Sequence, residues 1–243
     1  MYPHRMRLLG PWECEPLSEG RQPPESALRG LTLPARRVTI PCRWRDCGLE
    51  DFTGRVRFLR HFGYPGRIDA HERVWLTFAG VEGSADTSLN GTPLGRREGT
   101  AGPFEFEITR LLQERNRLQV DIEATGGDGG LWGEVALEVR CTAFLRGLRV
   151  WATVHGEMAT LHVGGQVVGT AERLLDLYAL LDNATVAYSL VEAAPEGREF
   201  DVTSEALPPE RWQSPDTHVV RVDLVNGAMI WHAEEGTFVF SRA

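Results

Sequence analysis

The feature that most constrains the fold of this chain is a period of two in hydrophobicity, which recurs in many short runs. Apolar and polar residues alternate through segments 74–78 and 118–123. The same pattern returns in segments 135–139, 148–154, 159–163 and 220–224. Successive side chains of a β-strand point to opposite faces, so each run buries one face of a strand. Many short strands split by glycine and proline predict an all-β protein made of β-sandwiches.

Turn residues separate these runs. Asn90-Gly91 suits the positive φ angles of a two-residue hairpin turn. Segment 108–112 predicts a single helical turn capped by Thr109, placed between two strands. The leucine spacing in segment 171–181 fits either a helix or a strand, and the flanking strands favour a strand.

The composition excludes several classes of enzyme. The 26 residues counted together as lysine and arginine are all arginine, so the chain has no lysine for a pyridoxal phosphate aldimine, a Schiff-base aldolase or a phosphate-binding P-loop. Its formal net charge of −8 provides no overall field toward nucleic acids or anionic membranes. We therefore expect no nucleic-acid partner, no membrane partner and no cofactor.

The termini and the cysteines point to a cytoplasmic protein. The first residues offer no apolar core of a signal peptide, and no run approaches the roughly 18 apolar residues of a membrane span. Four cysteines in a chain of this length do not form a small secreted disulfide framework. Cys14, Cys42, Cys47 and Cys141 are predicted to be reduced structural thiols, and their spacing does not predict a metal site.

The first half carries an ordered series of motifs. They are Phe52-Thr53-Gly54, the strand 74–81, Leu89-Asn90-Gly91 with Leu94-Gly95, the strand end 104–109, Asn116-Arg117-Leu118 and the segment 130–135. Each alone is a common turn or strand. Together, in this order and spacing across residues 9–140, they resemble the sugar-binding jelly-roll domain of glycoside hydrolase family 2, the family of β-galactosidases and β-glucuronidases.

The second half is similar to the immunoglobulin-like domain that follows in that family. The similar parts are Trp212 and the strands 220–224 and 238–242. The resemblance implies two domains. One strand ends at Arg140 and Arg146-Gly147 precedes another, so we expect a jelly roll over residues 1–143 and an immunoglobulin-like β-sandwich over residues 144–243. The prolines of residues 1–23 predict an irregular N-terminal arm on the jelly roll.

The resemblance also implies that this chain does not catalyse hydrolysis by itself. Family 2 enzymes follow the two-carboxylate retaining scheme, with both glutamates at the ends of strands of a barrel, and these 243 residues contain no such barrel. Glu105 and Glu107 share one strand face, opposite Phe104 and Phe106, as expected of a solvated face.

Sugar recognition needs aromatic platforms and charged or amide groups. Trp44 and Arg45, predicted to lie in a loop, are candidates on this ground, and so are Asp128 and Trp132 in and after the glycine-rich stretch 125–130. A structural role is the alternative for each of them. Because lysine is absent, arginines such as Arg43, Arg45, Arg96 or Arg97 must supply any cationic contact with a ligand.

Two functional hypotheses follow. The first is a non-catalytic carbohydrate-binding or accessory protein. The second is a protein-interaction module, either a homo-oligomer or the detached part of a split glycosidase whose barrel lies on a separate chain. A third and weaker hypothesis is an enzyme with a new site on the jelly roll.

Overall fold

A computed structural model describes residues 3–17, 36–49, 52–98, 102–125, 129–214 and 216–240. In these ranges the chain consists of β-strands and three short 3-10 turns, without an α-helix, which confirms the all-β prediction. No helix in the described part of the chain is long and apolar enough to cross a membrane. The chain divides into two compact units. The first comprises Arg5–Asp69 and Arg73–Glu138, and the second comprises Met1–His4, Ala70–Glu72 and Val139–Ala243.

The first twelve strands build a four-stranded sheet, a six-stranded sheet and a short strand pair. They are β1 (His4–Arg7), β2 (Trp12–Leu17), β3 (Arg36–Val38), β4 (Cys42–Arg43), β5 (Gly54–Gly63), β6 (Glu72–Phe78), β7 (Ser84–Leu89), β8 (Thr92–Arg97), β9 (Phe104–Glu107), β10 (Arg115–Ala124), β11 (Gly130–Leu131) and β12 (Val135–Cys141). The strand orders are β1-β12-β6-β9, β3-β2-β5-β10-β7-β8 and β11-β4.

The core of the first unit comes from the alternating runs, as the sequence predicts. In β10 every second residue from Asn116 to Ala124 is buried, and in β6 Leu76 and Phe78 are buried. Phe78 stacks on Phe104 of β9 with ring centroids 4.6 Å apart. Burial of each such side chain contributes about 1.5–3 kcal/mol.

The N-terminal segment is not the irregular arm that its prolines suggest. Strand β1 joins the edge of the four-stranded sheet beside β12, and β2 pairs with both β3 and β5. Trp12 and Cys14 alternate with exposed or half-buried neighbours and are themselves buried, so a period of two is present here between the prolines. The prediction was wrong for residues 4–7 and 12–17, because proline and glycine interrupt the pattern after only a few residues. Residues 18–23 of the predicted arm lie outside the described residues.

Both predicted turns are present, but Thr109 makes a different hydrogen bond from the predicted cap. Asn90 and Gly91 have φ angles of 53° and 83° and join β7 to β8, which confirms the hairpin. Thr109 lies in the 3-10 turn Thr109–Leu111, but its hydroxyl accepts a hydrogen bond from the Val74 backbone N–H at 2.9 Å. Thr109 therefore connects the turn to β6, and the predicted cap role is wrong.

The second unit has seven strands in sheets of three and four, as expected of an immunoglobulin-like sandwich. They are β13 (Ala143–His155), β14 (Met158–Gly169), β15 (Leu175–Leu181), β16 (Ala184–Val191), β17 (Arg198–Thr203), β18 (His218–Asn226) and β19 (Met229–Phe238). The orders are β13-β14-β17 and β16-β15-β18-β19. Segment 171–181, which fitted either a helix or a strand, contains strand β15, as the flanking strands predicted. Side chains from both sheets share one core, among them Leu145, Val163, Leu177 and Val222.

A buried histidine connects a turn to a loop in the second unit. His218 is 1% exposed; its Nδ1 lies 2.7 Å from the Asp182 carboxylate and its Nε2 lies 3.0 Å from the Trp212 carbonyl oxygen. Partial burial would raise the pKa of Asp182, but the hydrogen bonds from the Val219 N–H and from His218 lower it overall. His218 therefore has a structural role.

Charged residues cover the outer face of the six-stranded sheet in complementary rows. Asp121 on β10 is 5% exposed and accepts two hydrogen bonds of 2.8 Å from Arg57 on β5. Asp86 on the neighbouring β7 receives Arg55 and Arg96, each at 2.8 Å. The hydrogen bonds with Asp121 raise the pKa of Arg57. Planar guanidinium groups suit these two-pronged contacts better than an ammonium group would.

We predict that Arg57→Ala lowers the free energy of unfolding by about 2 kcal/mol, because it removes two charge-assisted hydrogen bonds from a buried carboxylate. Arg67→Ala is the control. Arg67 also pairs with an aspartate, Asp69, but it is 89% exposed, and such a pair contributes about 1 kcal/mol or less. Urea unfolding followed by tryptophan fluorescence measures both variants, and equal losses would contradict the prediction.

Candidate functional site

Three of the four sequence-predicted candidates, Trp44, Arg45 and Trp132, lie at one end of the first unit, where two distant segments pair. Strand β4 pairs with β11 through Gly130 and Arg43, and the Trp44 N–H donates to the Gly129 carbonyl at 2.8 Å. On its other side Gly130 exchanges two hydrogen bonds, of 3.0 and 3.1 Å, with the Glu82 backbone. This pairing brings Trp44, Arg45 and the segment before Trp132 into one region.

Trp44 is not a surface platform. It begins the 3-10 turn Trp44–Cys47 and is fully buried, with its ring edge against Phe52 at a centroid distance of 5.5 Å. A Cβ on Gly129 would lie 2.5 Å from the ring, so the Gly129 backbone packs directly against the indole. The prediction of an exposed sugar platform is wrong because charged neighbours suggested a solvated loop, whereas the short turn directs this one side chain inward.

Trp132 is half-buried and covers a glycine backbone. A Cβ on Gly80 would lie 2.2 Å from the Trp132 ring, and the Gly133 N–H donates to the Gly80 carbonyl at 3.1 Å. The Arg43 guanidinium lies over the same ring, 6.0 Å from its centroid. Trp132 therefore packs against the Gly80 backbone and positions Arg43, so its role at this end is structural.

The two indole N–H groups at this end share an unusual property. Nε1 of Trp44 and Nε1 of Trp132 are buried, and neither has a hydrogen-bond partner among the residues that the structure describes. An unpaired buried donor costs about 1–3 kcal/mol.

Asp128, the remaining candidate, lies outside the described residues.

Two arginine side chains lie at the surface of this end. Arg45 is exposed on the 3-10 turn, and Arg43 is half-buried above Trp132. Asp46 orders the turn, because its carboxylate accepts the Arg43 backbone N–H at 2.8 Å. The other predicted arginines are engaged elsewhere, since Arg96 pairs with Asp86 and Arg97 lies over Phe104.

Three buried thiols lie beneath the same turn. Cys14, Cys42 and Cys47 are free, as predicted, and the sulfur atoms of Cys14 and Cys47 are 3.9 Å apart. Hydrogen bonds from the Cys14 and Cys42 thiols lower the pKa of Cys47, although its burial acts in the opposite direction. No group of three or more His, Cys, Asp or Glu side chains in the described ranges is placed to hold a metal ion.

Two shallow depressions of about 280 and 420 Å³ lie elsewhere. The first is lined by Pro11, Glu13, Arg37, Leu59, Arg60 and His61. The second is lined by Thr185, Val186, Glu205, Ala206, Leu207, Pro208, Glu210 and Arg211. Neither depression includes Trp44, Arg45 or Trp132.

An exposed tryptophan, Trp151, was not among the predicted site residues. Trp151 is 38% exposed on β13, whereas its neighbours Val150 and Ala152 are half-buried. The alternation through segment 148–154 contains the signal, because apolar residues at 148, 150, 152 and 154 place residue 151 on the opposite face.

Comparison with known proteins supports the resemblance at the level of fold. The structure superimposes on a proposed β-galactosidase from Bacteroides fragilis with a TM-score of 0.77 and 16% identity, over 98% of this chain and 41% of the other. A Bacteroides uniformis β-glucuronidase gives a TM-score of 0.75 and 18% identity, over 98% of this chain and 32% of the other. A curated β-glucuronidase of Bacteroides fragilis is 29% identical over 99 residues, which are 38% of this chain and 14% of that protein. No family model matches the chain.

Two further structures with this fold are named as members of glycoside hydrolase family 2, so the chain has the all-β fold of part of such enzymes. It spans less than half the length of the structures that it matches.

We predict that Gly80→Ala lowers the free energy of unfolding by about 2 kcal/mol, because the new methyl group would displace the Trp132 ring. Gly63→Ala is the matched control, since Gly63 is exposed on β5 and a Cβ there would meet no atom within 4 Å. Its stability should stay within about 0.5 kcal/mol of the parent protein. Thermal or urea unfolding tests this, and an unchanged Gly80→Ala variant would show that Trp132 moves freely.

Proposed function

We propose that this chain is a non-catalytic, carbohydrate-binding part of a family 2 type β-glycosidase, and that the end of its first unit binds an acidic sugar. The observation that carries the proposal is the turn that presents Arg45 to solvent beside Arg43. The β4–β11 pairing and the Asp46 contact hold this turn in place.

The charge of the ligand follows from these side chains. A guanidinium group binds a carboxylate through two parallel hydrogen bonds. Structural and sequence relatives of this chain are named β-glucuronidases, and a glucuronide carries one carboxylate on its sugar ring. A glucuronide therefore matches the charge of these two guanidinium groups, whereas a neutral galactoside offers hydroxyl groups alone.

The reacting carboxylates would come from a barrel outside this sequence, either in a longer protein or on a separate chain. A retaining pair lies about 5–5.5 Å apart across the glycosidic bond. Glu105 and Glu107 of β9 are adjacent same-face residues of one strand, and Phe104 and Phe106 of that strand belong to the aromatic cluster with Phe78. The two glutamates lie on the face of β9 opposite this aromatic cluster, as expected of an ordinary strand. This supports an accessory role for this unit.

We expect the protein to bind methyl β-D-glucuronide saturably in titration calorimetry, and Arg45→Ala to weaken binding about tenfold through loss of one charge-assisted contact. Arg110→Ala is the control, because Arg110 is an exposed arginine on the other 3-10 turn of this unit. Methyl β-D-galactoside should bind more weakly. p-Nitrophenyl β-D-glucuronide should release no nitrophenolate. Absence of glucuronide binding, or hydrolysis by this chain, would refute the proposal.

A second candidate function is self-association through the second unit. Strand β16 is at the edge of its sheet and has neither a charged residue nor a proline. Tyr188 and Leu190 on this strand are 52% and 54% exposed. An uncharged, apolar edge strand is a template for pairing with another strand. Two copies would pair β16 with β16 about a twofold axis.

We expect light scattering to give about twice the 27.1 kDa chain mass if this edge pairs. Leu190→Lys should then restore the monomer, because a charge on an edge strand opposes pairing. Leu174→Lys should not, since Leu174 is equally exposed, at 51%, but lies before β15 and outside the edge strand. A monomeric parent protein would exclude this candidate.

A further inference from the structure

The outer face of the three-stranded sheet in the second unit carries a defined arrangement around Trp151. Cross-strand pairing places Trp151 of β13 beside His162 of β14, and His162 beside Thr203 of β17. In the adjoining row Arg149, Gly164 and Asp201 are neighbours in the same order. All these side chains share one face, because pairing partners and every second residue of a strand point to the same side.

The indole ring is held in a fixed orientation. It is parallel to the His162 imidazole within 9°, with centroids 5.3 Å apart. Both imidazole nitrogens are engaged, since Nε2 lies 3.1 Å from the Thr153 hydroxyl and Nδ1 lies 3.1 Å from the Thr203 hydroxyl. The imidazole is therefore a rigid support for Trp151.

Gly164 makes room for the six-membered ring of the indole. A Cβ at this position would lie 3.3 Å from the Cη2 and Cζ3 atoms of Trp151, closer than ordinary contact. The ring thus reaches across the row that contains Arg149 and Asp201. Neither of these two exposed side chains has a hydrogen bond or ion pair with another described residue.

We propose that this face is a carbohydrate-binding platform, on which Trp151 stacks against one pyranose ring while Asp201 and Arg149 bind its hydroxyl groups. The ligand class is an oligosaccharide of all-equatorial pyranoses, whose axial C–H bonds form flat apolar faces. A rigid aromatic ring stacks on such a face at little cost in side-chain entropy, and a carboxylate and a guanidinium supply complementary acceptors and donors for hydroxyl groups.

The surroundings favour a sugar over a protein partner. A protein interface has an apolar, desolvated centre from which charged residues are depleted. Here the ring is surrounded by hydroxyl and charged side chains, namely Arg149, Thr153, Thr160, Asp201 and Thr203. Alternating apolar and hydroxyl groups on a sugar match this pattern. The site is separate from the arginine-bearing turn of the first unit, and it does not depend on the function proposed for that turn.

The test is titration calorimetry with cellohexaose and xylohexaose, with mannohexaose as the comparison that carries axial hydroxyl groups. We expect saturable binding of the first two by the parent protein and weaker binding of mannohexaose. Trp151→Ala should weaken binding at least tenfold, Asp201→Asn several-fold, and Trp151→Phe less than Trp151→Ala. Tyr64→Ala, which removes an exposed aromatic ring elsewhere, and Arg45→Ala should leave these affinities unchanged.

Three results would overturn the proposal. They are no binding of any of the oligosaccharides by the parent protein, binding that Trp151→Ala and Asp201→Asn leave unchanged, and an oligomer in light scattering that Trp151→Ala converts to a monomer. The last result would identify the face as a protein interface. Because Arg45→Ala affects the other surface, failure here is distinguishable from failure of glucuronide binding at the first unit.

Discussion

The candidate end of the first unit depends on close backbone packing that only glycine permits. Gly129 lies beneath the Trp44 ring, Gly80 lies beneath the Trp132 ring, and a Cβ on Gly130 would lie 2.5 Å from the Cys42 carbonyl oxygen. Gly130 also has a φ angle of 135°, which other residues rarely adopt. The Trp44 and Trp132 indoles can pack this closely against the backbone because Gly80, Gly129 and Gly130 have no side chains. The positions of Arg43 and Arg45 follow from that packing.

The sequence predicted the fold better than the site. Alternation identified the strands around Leu76 and Leu118, because a strand face is recorded directly in the period of two. It left the segment around Leu177 open between helix and strand, and only the flanking strands favoured the strand that the structure has. It did not show the orientation of Trp44, which depends on contacts with a segment more than 80 residues away. For Trp151 the alternation of its neighbours does predict the outward direction of the side chain. It does not predict that the ring stacks on His162 of β14.

The use of arginine as the sole basic residue is consistent with its roles in the structure. Arg57 forms two parallel hydrogen bonds with Asp121, Arg97 lies over the Phe104 ring, and Arg43 lies over Trp132. Each contact uses the flat shape or the fork of the guanidinium group, which lysine lacks. The same chemistry that binds strands to one another is the chemistry available for acidic or hydroxylated ligands.

The pairing of β1 with β12 has a consequence for how the chain folds. The Leu8 N–H donates to the Val135 carbonyl, so the first sheet joins residues at opposite ends of its unit. At synthesis rates of about 5–20 residues per second, roughly 6 to 25 s pass between the appearance of these two strands. During this interval β1 has no partner strand, and contacts of such long sequence separation form slowly even in the complete chain. Completion of the first sandwich is therefore a late event in folding, set by topology rather than by local propensity.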